Sequence, residues 1–162
     1  MRENLSIPDL DLQENIREIR ERVGLAAEKS GRLEKDIAIM AVTKTVPAQR
    51  VNQAIGCGLT LLGENRVQEY LEKYPFYRRK DCSIHFIGRL QTNKVKYVVG
   101  RVDMIESVGS ERLLDAIEDR AGKLGLVQDI LLEVNIGGEA SKSGVCPDEL
   151  PLLARKAAEF PH

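Results

Sequence analysis

Short apolar runs alternate along the chain with longer segments of helical periodicity. Five runs have the length of a strand, and they are Ile37–Val42, Leu59–Gly63, Ser83–Gly88, Asp103–Val108 and Asp129–Ile136. The first is almost continuously hydrophobic, which is typical of a parallel-sheet strand covered on both faces. We therefore predict five β-strands, and the last of them has the clearest β pattern.

Amphipathic segments precede the first run and follow each of the five. In the N-terminal segment, apolar residues recur at spacings of three and four with charges between them, as in a helix. Pro47 suits a first helical turn, Pro75 follows a helix end, and Ser110 suits an N-cap. The predicted helices are Leu10–Glu28, the segment from Pro47 to Gly56, Arg66–Tyr74, the segment with Val95 and Val98, the segment from Ser110 to Ala121, and a last helix that starts at Cys146.

Alternating strand and helix units predict an α/β fold with a parallel sheet and helices outside it. Two architectures have this pattern, the doubly wound open sheet and the (β/α)8 TIM-type barrel. The open nucleotide-binding sheet has a glycine-rich turn after its first strand, whereas the segment Thr43–Pro47 contains no glycine. Polar residues at the strand ends favour the barrel without deciding between the two. We expect the strand order 1-2-3-4-5, with Lys44, Asn65 and Asn135 at one end.

The composition is that of a globular protein with a single domain over residues 1–162. Hydrophobic residues make up 43% and charged residues 30%, which argues against a disordered chain. The 24 basic and 25 acidic residues give a net charge of -1, so we expect neither nucleic acid nor a membrane surface as a partner. The three cysteines form no CxxC pair, which predicts no zinc site and a reducing cytoplasm. No signal peptide or membrane span is predicted.

Lys44 directly follows an apolar strand. At the rim of a buried sheet, partial desolvation favours the neutral, nucleophilic form of an amine. Such an amine can form a Schiff base with an aldehyde such as pyridoxal 5′-phosphate. Strand-end lysines are common, however, and from this segment alone a solvated lysine without a role is the favoured interpretation.

The other polar strand ends have two interpretations each. Asn65 could bind a ligand hydroxyl or cap the following helix. His85 is one of two histidines, so a histidine-rich metal site is not expected, and a single strand histidine is more often packed and hydrogen-bonded than catalytic. The loop from Ile136 to Gly144 lacks the glycine spacing of a P-loop, which excludes that type of nucleotide site.

Four segments together resemble the pyridoxal 5′-phosphate homeostasis protein family, also called the proline synthase co-transcribed family, which is related to the N-terminal barrel of alanine racemase. The resemblance covers nearly the whole chain in order, although each motif alone is weak. The segments are Ala41-Val42-Thr43-Lys44-Thr45, Gly63-Glu64-Asn65-Arg66-Val67-Gln68-Glu69, His85-Phe86-Ile87-Gly88-Arg89-Leu90-Gln91-Thr92-Asn93-Lys94 and Val134-Asn135-Ile136-Gly137-Gly138-Glu139-Ala140-Ser141-Lys142-Ser143-Gly144.

The resemblance implies a barrel that holds pyridoxal 5′-phosphate as a Schiff base on Lys44, with Asn65 near the cofactor. We take Val42 and His85 as further candidate cofactor-binding residues. It also implies a non-catalytic binder or carrier in vitamin B6 and amino-acid homeostasis, with pyridoxal-phosphate enzymes as possible acceptors. The alternative is a racemase-like enzyme, which needs a second acid/base group opposite the lysine. All four tyrosines are predicted in helices or irregular segments away from a barrel mouth, which favours the carrier.

The resemblance also implies that the barrel is incomplete after five βα units. Family members continue through further units, which supply a Ser-rich strand end and an Arg-Ile-Gly segment for the phosphate and the pyridine nitrogen. A fragment of a longer product, a partner that supplies the rest, and a natural truncation are the three interpretations. The fragment is favoured, because half a barrel leaves two strand edges open and prone to self-association.

Overall fold

Five parallel strands form one sheet in the order β1-β2-β3-β4-β5, as the sequence predicts. The computed structural model describes residues 7–139 and 141–162. Its strands are β1 (Met40–Val42), β2 (Leu61–Glu64), β3 (Ser83–Phe86), β4 (Met104–Val108) and β5 (Asp129–Leu132). Its α-helices are α1 (Ile7–Lys29), α2 (Ala48–Gly56), α3 (Val67–Lys73), α4 (Glu111–Leu124) and α5 (Leu150–Glu159).

Several predicted strands are shorter or shifted in the structure because pairing, not hydrophobicity, defines a strand, and one predicted helix is of another type. The first strand starts at Met40, which pairs with the first residue of β2, and within the described part of the chain the apolar residues before Met40 pair with no strand. Beyond β5, a single bridge joins Val134 to Val145. The predicted helix with Val95 and Val98 is a 3-10 helix over Thr92–Tyr97. The spacing of three between these buried valines suits three residues per turn.

Both ends of α4 are explained by single residues of the sequence. The hydroxyl of Ser110 accepts a hydrogen bond from the backbone N–H of Leu113, which confirms the predicted N-cap of α4. Gly125 ends this helix with a φ of 64°, a left-handed conformation that glycine adopts without a Cβ clash. None of the helices in the described ranges is long and apolar enough to cross a membrane.

The core lies between the sheet and the helices, and the opposite face of the sheet is only partly covered. Leu62 and Ile84 on the helix side are fully buried, with 0% of their surface exposed. Val42 and Leu131 on the edge strands are both 49% exposed. The apolar first run predicts a sheet that is covered on both faces, and the described residues cover only one of them fully. The uncovered side of the sheet is called the open face below.

The contrast between the two faces predicts different costs for the same substitution. Leu62→Ala should lower the free energy of unfolding of this chain by about 2–5 kcal/mol, because it leaves a cavity in the core. Leu131→Ala should cost about 1 kcal/mol or less, since much of the side chain is already in water. Urea unfolding of both variants measures the two costs. Equal losses would contradict the assignment of an open face.

Candidate functional site

Three polar residues predicted to share one end of the sheet do so. Lys44 follows β1, Asn65 immediately follows β2, and Asn135 lies beyond β5. Since all five strands are parallel, these positions lie at the carboxyl edge. The amide of Asn135 is used within its own loop, where it donates to the carbonyl of Glu139 at 2.9 Å. Lys44 and Asn65, which follow adjacent strands, are therefore the centre of the candidate site.

Lys44 is exposed, so the desolvation that its position predicts is not present in the described chain. The turn that carries it has an unusual backbone. Thr45 has a φ of 63°, a left-handed conformation that is costly for a β-branched residue. The hydroxyl of Thr45 donates to the carbonyl of Lys44 at 2.6 Å, and its backbone N–H donates to the carboxylate of Glu69. The turn is thus held from α3.

A buried polar network lies directly behind this turn, on the helix side of the sheet. Its centre is Glu64, which ends β2 and is 0% exposed. The carboxylate accepts hydrogen bonds from the hydroxyls of Thr43, at 2.7 Å, and Tyr77. The ammonium of Lys73 lies 2.9 Å from the same carboxylate, 2.9 Å from Glu69 and 2.9 Å from the carbonyl of Thr43. Every charge in the network therefore has a partner of opposite sign.

The network shifts two titrations in opposite directions. The hydrogen bond from Lys73 is the largest of the effects that together lower the pKa of Glu69 below its ordinary value of 4.5. Burial, reinforced by the hydrogen bond to Glu64, raises the pKa of Tyr77 far above its ordinary value, so the phenol stays protonated. At neutral pH, Glu69 therefore accepts hydrogen bonds as a carboxylate and Tyr77 donates one as a phenol.

Asn65 does not cap a helix. The N-cap of α3 is Arg66, and no side chain caps that end. The backbone of Asn65 instead lies against Gly88, where an added Cβ would lie 2.0 Å from the Asn65 carbonyl oxygen and 2.2 Å from its side-chain oxygen. Only glycine permits this approach between the ends of two neighbouring strands. The helix-cap interpretation of Asn65 is therefore wrong, and the ligand-binding interpretation stays a prediction.

Val42 and His85 lie on the open face, on either side of Gly63. The register places Gly63 beside Val42 on one strand and beside His85 on the other. His85 is half-buried, and its Nδ1 lies 2.5 Å from the carboxylate of Glu106. The prediction of a hydrogen-bonded strand histidine is confirmed. Sequence reasoning missed Glu106, since its partner is 21 residues away.

Sequence reasoning also missed Lys73 and Glu69. They are four residues apart on α3, and because ordinary surface ion pairs of helices have the same spacing, the sequence does not distinguish this pair from them. The one available signal was the glutamate of the Gly63-Glu64-Asn65 segment, because a carboxylate that ends a buried strand requires a cationic partner. That signal predicts a partner without saying which residue it is.

The family of alanine racemase N-terminal domains matches residues 10–162 of this chain. Among curated proteins, the pyridoxal phosphate homeostasis proteins of Aquifex aeolicus and Pasteurella multocida are similar to it. The first is 45% identical over 149 residues, which are 92% of this chain and 65% of that protein. The second is 32% identical over 155 residues, which are 94% of this chain and 66% of that protein. The chain thus spans less than two thirds of the length of these relatives.

Solved structures share the fold. A crystal structure of an unknown protein from Bifidobacterium adolescentis has a TM-score of 0.89 and 31% identity, and the match covers 99% of this chain and 69% of that one. PipY of Synechococcus elongatus has been solved with pyridoxal 5′-phosphate bound. It matches with a TM-score of 0.70 and 30% identity over 88% of this chain and 65% of its own. The fold of this chain is therefore one already observed in solved structures.

The lowered pKa of Glu69 predicts how the turn responds to acid. A carboxylate whose pKa is lower in the folded state stabilises the fold above its unfolded pKa, and this contribution is lost as the pH falls through the folded value. Glu69→Gln should therefore destabilise the chain at pH 7, and the difference should shrink as the pH falls below 4.5. Denaturant titrations at several pH values measure it.

The exposed Glu72 on the same helix provides the matched control. Glu72→Gln should change stability little at any pH, because a solvated carboxylate has no buried partner to lose. A pH-independent difference between Glu69→Gln and the unsubstituted chain would contradict the charge-based role of Glu69.

Proposed function

This chain belongs to the alanine racemase N-terminal domain family, and we propose that it binds pyridoxal 5′-phosphate as a Schiff base on Lys44. The observation that carries the proposal is an exposed primary amine on a fixed turn at the carboxyl edge of a parallel sheet, next to Asn65. The bound cofactor in the PipY structure and the names of the homeostasis relatives support it.

The residues around the turn fit the chemistry of this cofactor. Its aldehyde condenses with a primary amine, with loss of one water. Lys44 supplies the amine, and Asn65 supplies an amide that can donate to and accept from ring substituents. The half-exposed Val42 gives the open face an apolar surface for a flat ring, and His85 lies in the same row of the sheet.

We further propose a non-catalytic carrier in vitamin B6 and amino-acid homeostasis, acting in the cytoplasm with pyridoxal-phosphate enzymes as acceptors. The names of the curated relatives support this role over a racemase. The positions of two tyrosines support it too. The hydroxyl of Tyr70 donates to the carbonyl of Arg101 at 2.5 Å, and that of Tyr77 donates to Glu64. Both phenols are hydrogen-bonded in the helix layer, which supports the carrier over the racemase.

Borohydride trapping tests the site assignment. Incubation with pyridoxal 5′-phosphate followed by reduction should fix the cofactor on Lys44, and Lys44→Ala should abolish the adduct, because the reducible bond needs a primary amine. Peptide mapping by mass spectrometry locates it. The same digest reports on Lys94 and Lys142, two lysines of the resembling segments. An adduct that falls mainly on either of these would overturn the assignment.

The open face and the two edge strands predict self-association of the 162-residue chain on its own. Among residues 7–139 and 141–162, no strand pairs with the outer edge of β1 or β5, which leaves a row of backbone N–H and C=O groups there, and the exposed Val42 and Leu131 lie on these edges. Size-exclusion chromatography over a range of concentrations should show association that increases with concentration. A monomer that melts cooperatively and binds cofactor to full occupancy would contradict this part of the proposal.

A further inference from the structure

Lys44 is flanked on both sides by backbone groups whose positions depend on α3. The carbonyl of Thr43, the residue before it, accepts a hydrogen bond from the ammonium of Lys73 at 2.9 Å. The backbone N–H of Thr45, the residue after it, donates to the carboxylate of Glu69. Lys73 and Glu69 are themselves paired at 2.9 Å. One ion pair therefore holds the chain on either side of the proposed cofactor lysine.

The conformation of Thr45 requires such a support. Its φ of 63° is the one positive value among the non-glycine residues that the structure describes. A left-handed β-branched residue persists only where the surrounding structure imposes it. A charge-assisted hydrogen bond from an amide to a carboxylate is among the stronger restraints available to a turn. The left-handed conformation of Thr45 and its hydrogen bond to Glu69 thus both indicate that Glu69 holds this turn in place.

Lys73 also joins this turn to the next strand. Its ammonium lies 2.9 Å from the carboxylate of Glu64, the residue before Asn65. The same carboxylate accepts the hydroxyl hydrogen bond of Thr43, the residue before Lys44, at 2.7 Å. The residues that precede the two central site residues are therefore tied together through a single buried ammonium, which lies on the opposite side of the sheet from the open face.

We propose that Lys73 and Glu69 are positioning residues, which hold the backbone on both sides of Lys44 and so set the direction of its amine toward the open face. This inference rests on the proposed function, because it concerns the reactivity of Lys44 toward an aldehyde. Neither residue touches the cofactor. They act through the backbone of Thr43 and Thr45.

The rate of borohydride-trapped modification of Lys44 by pyridoxal 5′-phosphate tests the proposal. Glu69→Ala should slow it about tenfold or more, since small displacements of a reacting group have large effects on rate. Glu69→Gln should recover most of the rate, because a glutamine oxygen still accepts the Thr45 N–H. Modification of Lys94 in the same digest should not change, and Glu72→Gln is the control on the same helix.

The role of Lys73 is tested with a double substitution that leaves no buried charge unpaired. Lys73→Met alone leaves the buried Glu64 carboxylate without its cation, so the double substitution Lys73→Met with Glu64→Gln removes both charges together. This variant should melt cooperatively yet modify Lys44 about tenfold more slowly, because the Thr43 carbonyl and Glu69 have lost their ammonium. Lys123→Met, which removes an exposed ammonium paired with Asp119, is the matched control.

Nuclear magnetic resonance gives a readout that needs no cofactor. The Thr45 amide proton should lie far downfield because it donates to a carboxylate, and it should move upfield in Glu69→Ala and less so in Glu69→Gln. If the Thr45 amide resonance did not shift in Glu69→Ala, or if all variants modified Lys44 at the same rate, the positioning role alone would be overturned. An unsubstituted chain that does not label Lys44 would overturn the proposed function, and the positioning role with it.

Discussion

The pairing of a fully buried carboxylate with a buried ammonium is the interaction on which the candidate site depends. Glu64 ends β2 with 0% of its surface exposed, and an isolated charge there would be prohibitively costly. Lys73 lies 2.9 Å away, and the hydroxyls of Thr43 and Tyr77 occupy further acceptor positions of the carboxylate. Because every member has partners, the network is specific to one arrangement of strand ends. Breaking one member would leave another unpaired.

This network connects the covered side of the sheet to the chemistry at its edge. The helix side is a close-packed core, in which residues such as Leu62 and Ile105 are fully buried. The open face carries Val42 and His85, and the exposed turn of Lys44 lies at its carboxyl edge. Successive side chains of a strand point to opposite faces of the sheet, so one residue packs in the core and the next lies on the open face. A residue that anchors the sheet is thus followed directly by one that is available to a ligand.

Much of the fold was predictable because it depends on local or repetitive signals. The strand order follows from alternating apolar runs and amphipathic segments, and the Ser110 cap follows from one residue and its position. The shared edge of Lys44 and Asn65 follows once the strands are parallel. The 3-10 helix at Thr92–Tyr97 did not follow, because Val95 and Val98 are also compatible with an α-helix.

The parts of the site that sequence reasoning missed are contacts between distant residues. The pairing of His85 with Glu106 spans 21 residues, and the bond from Lys73 to Thr43 spans 30. The left-handed turn at Thr45 has no sequence signal, since threonine rarely adopts that conformation. Its cause lies in Glu69, on a helix 24 residues further along the chain. Such contacts become visible only when the strand ends are placed side by side.

A visible absorbance titration with pyridoxal 5′-phosphate, carried out on the unsubstituted protein and on Lys44→Arg, tests the proposed attachment of the cofactor to the Lys44 amine. The substitution keeps a positive charge at the turn but removes the nucleophile, because a guanidinium stays protonated. The unsubstituted protein should develop a saturable visible band of the Schiff base, and Lys44→Arg should develop none. A band of equal strength and affinity in Lys44→Arg would contradict the account.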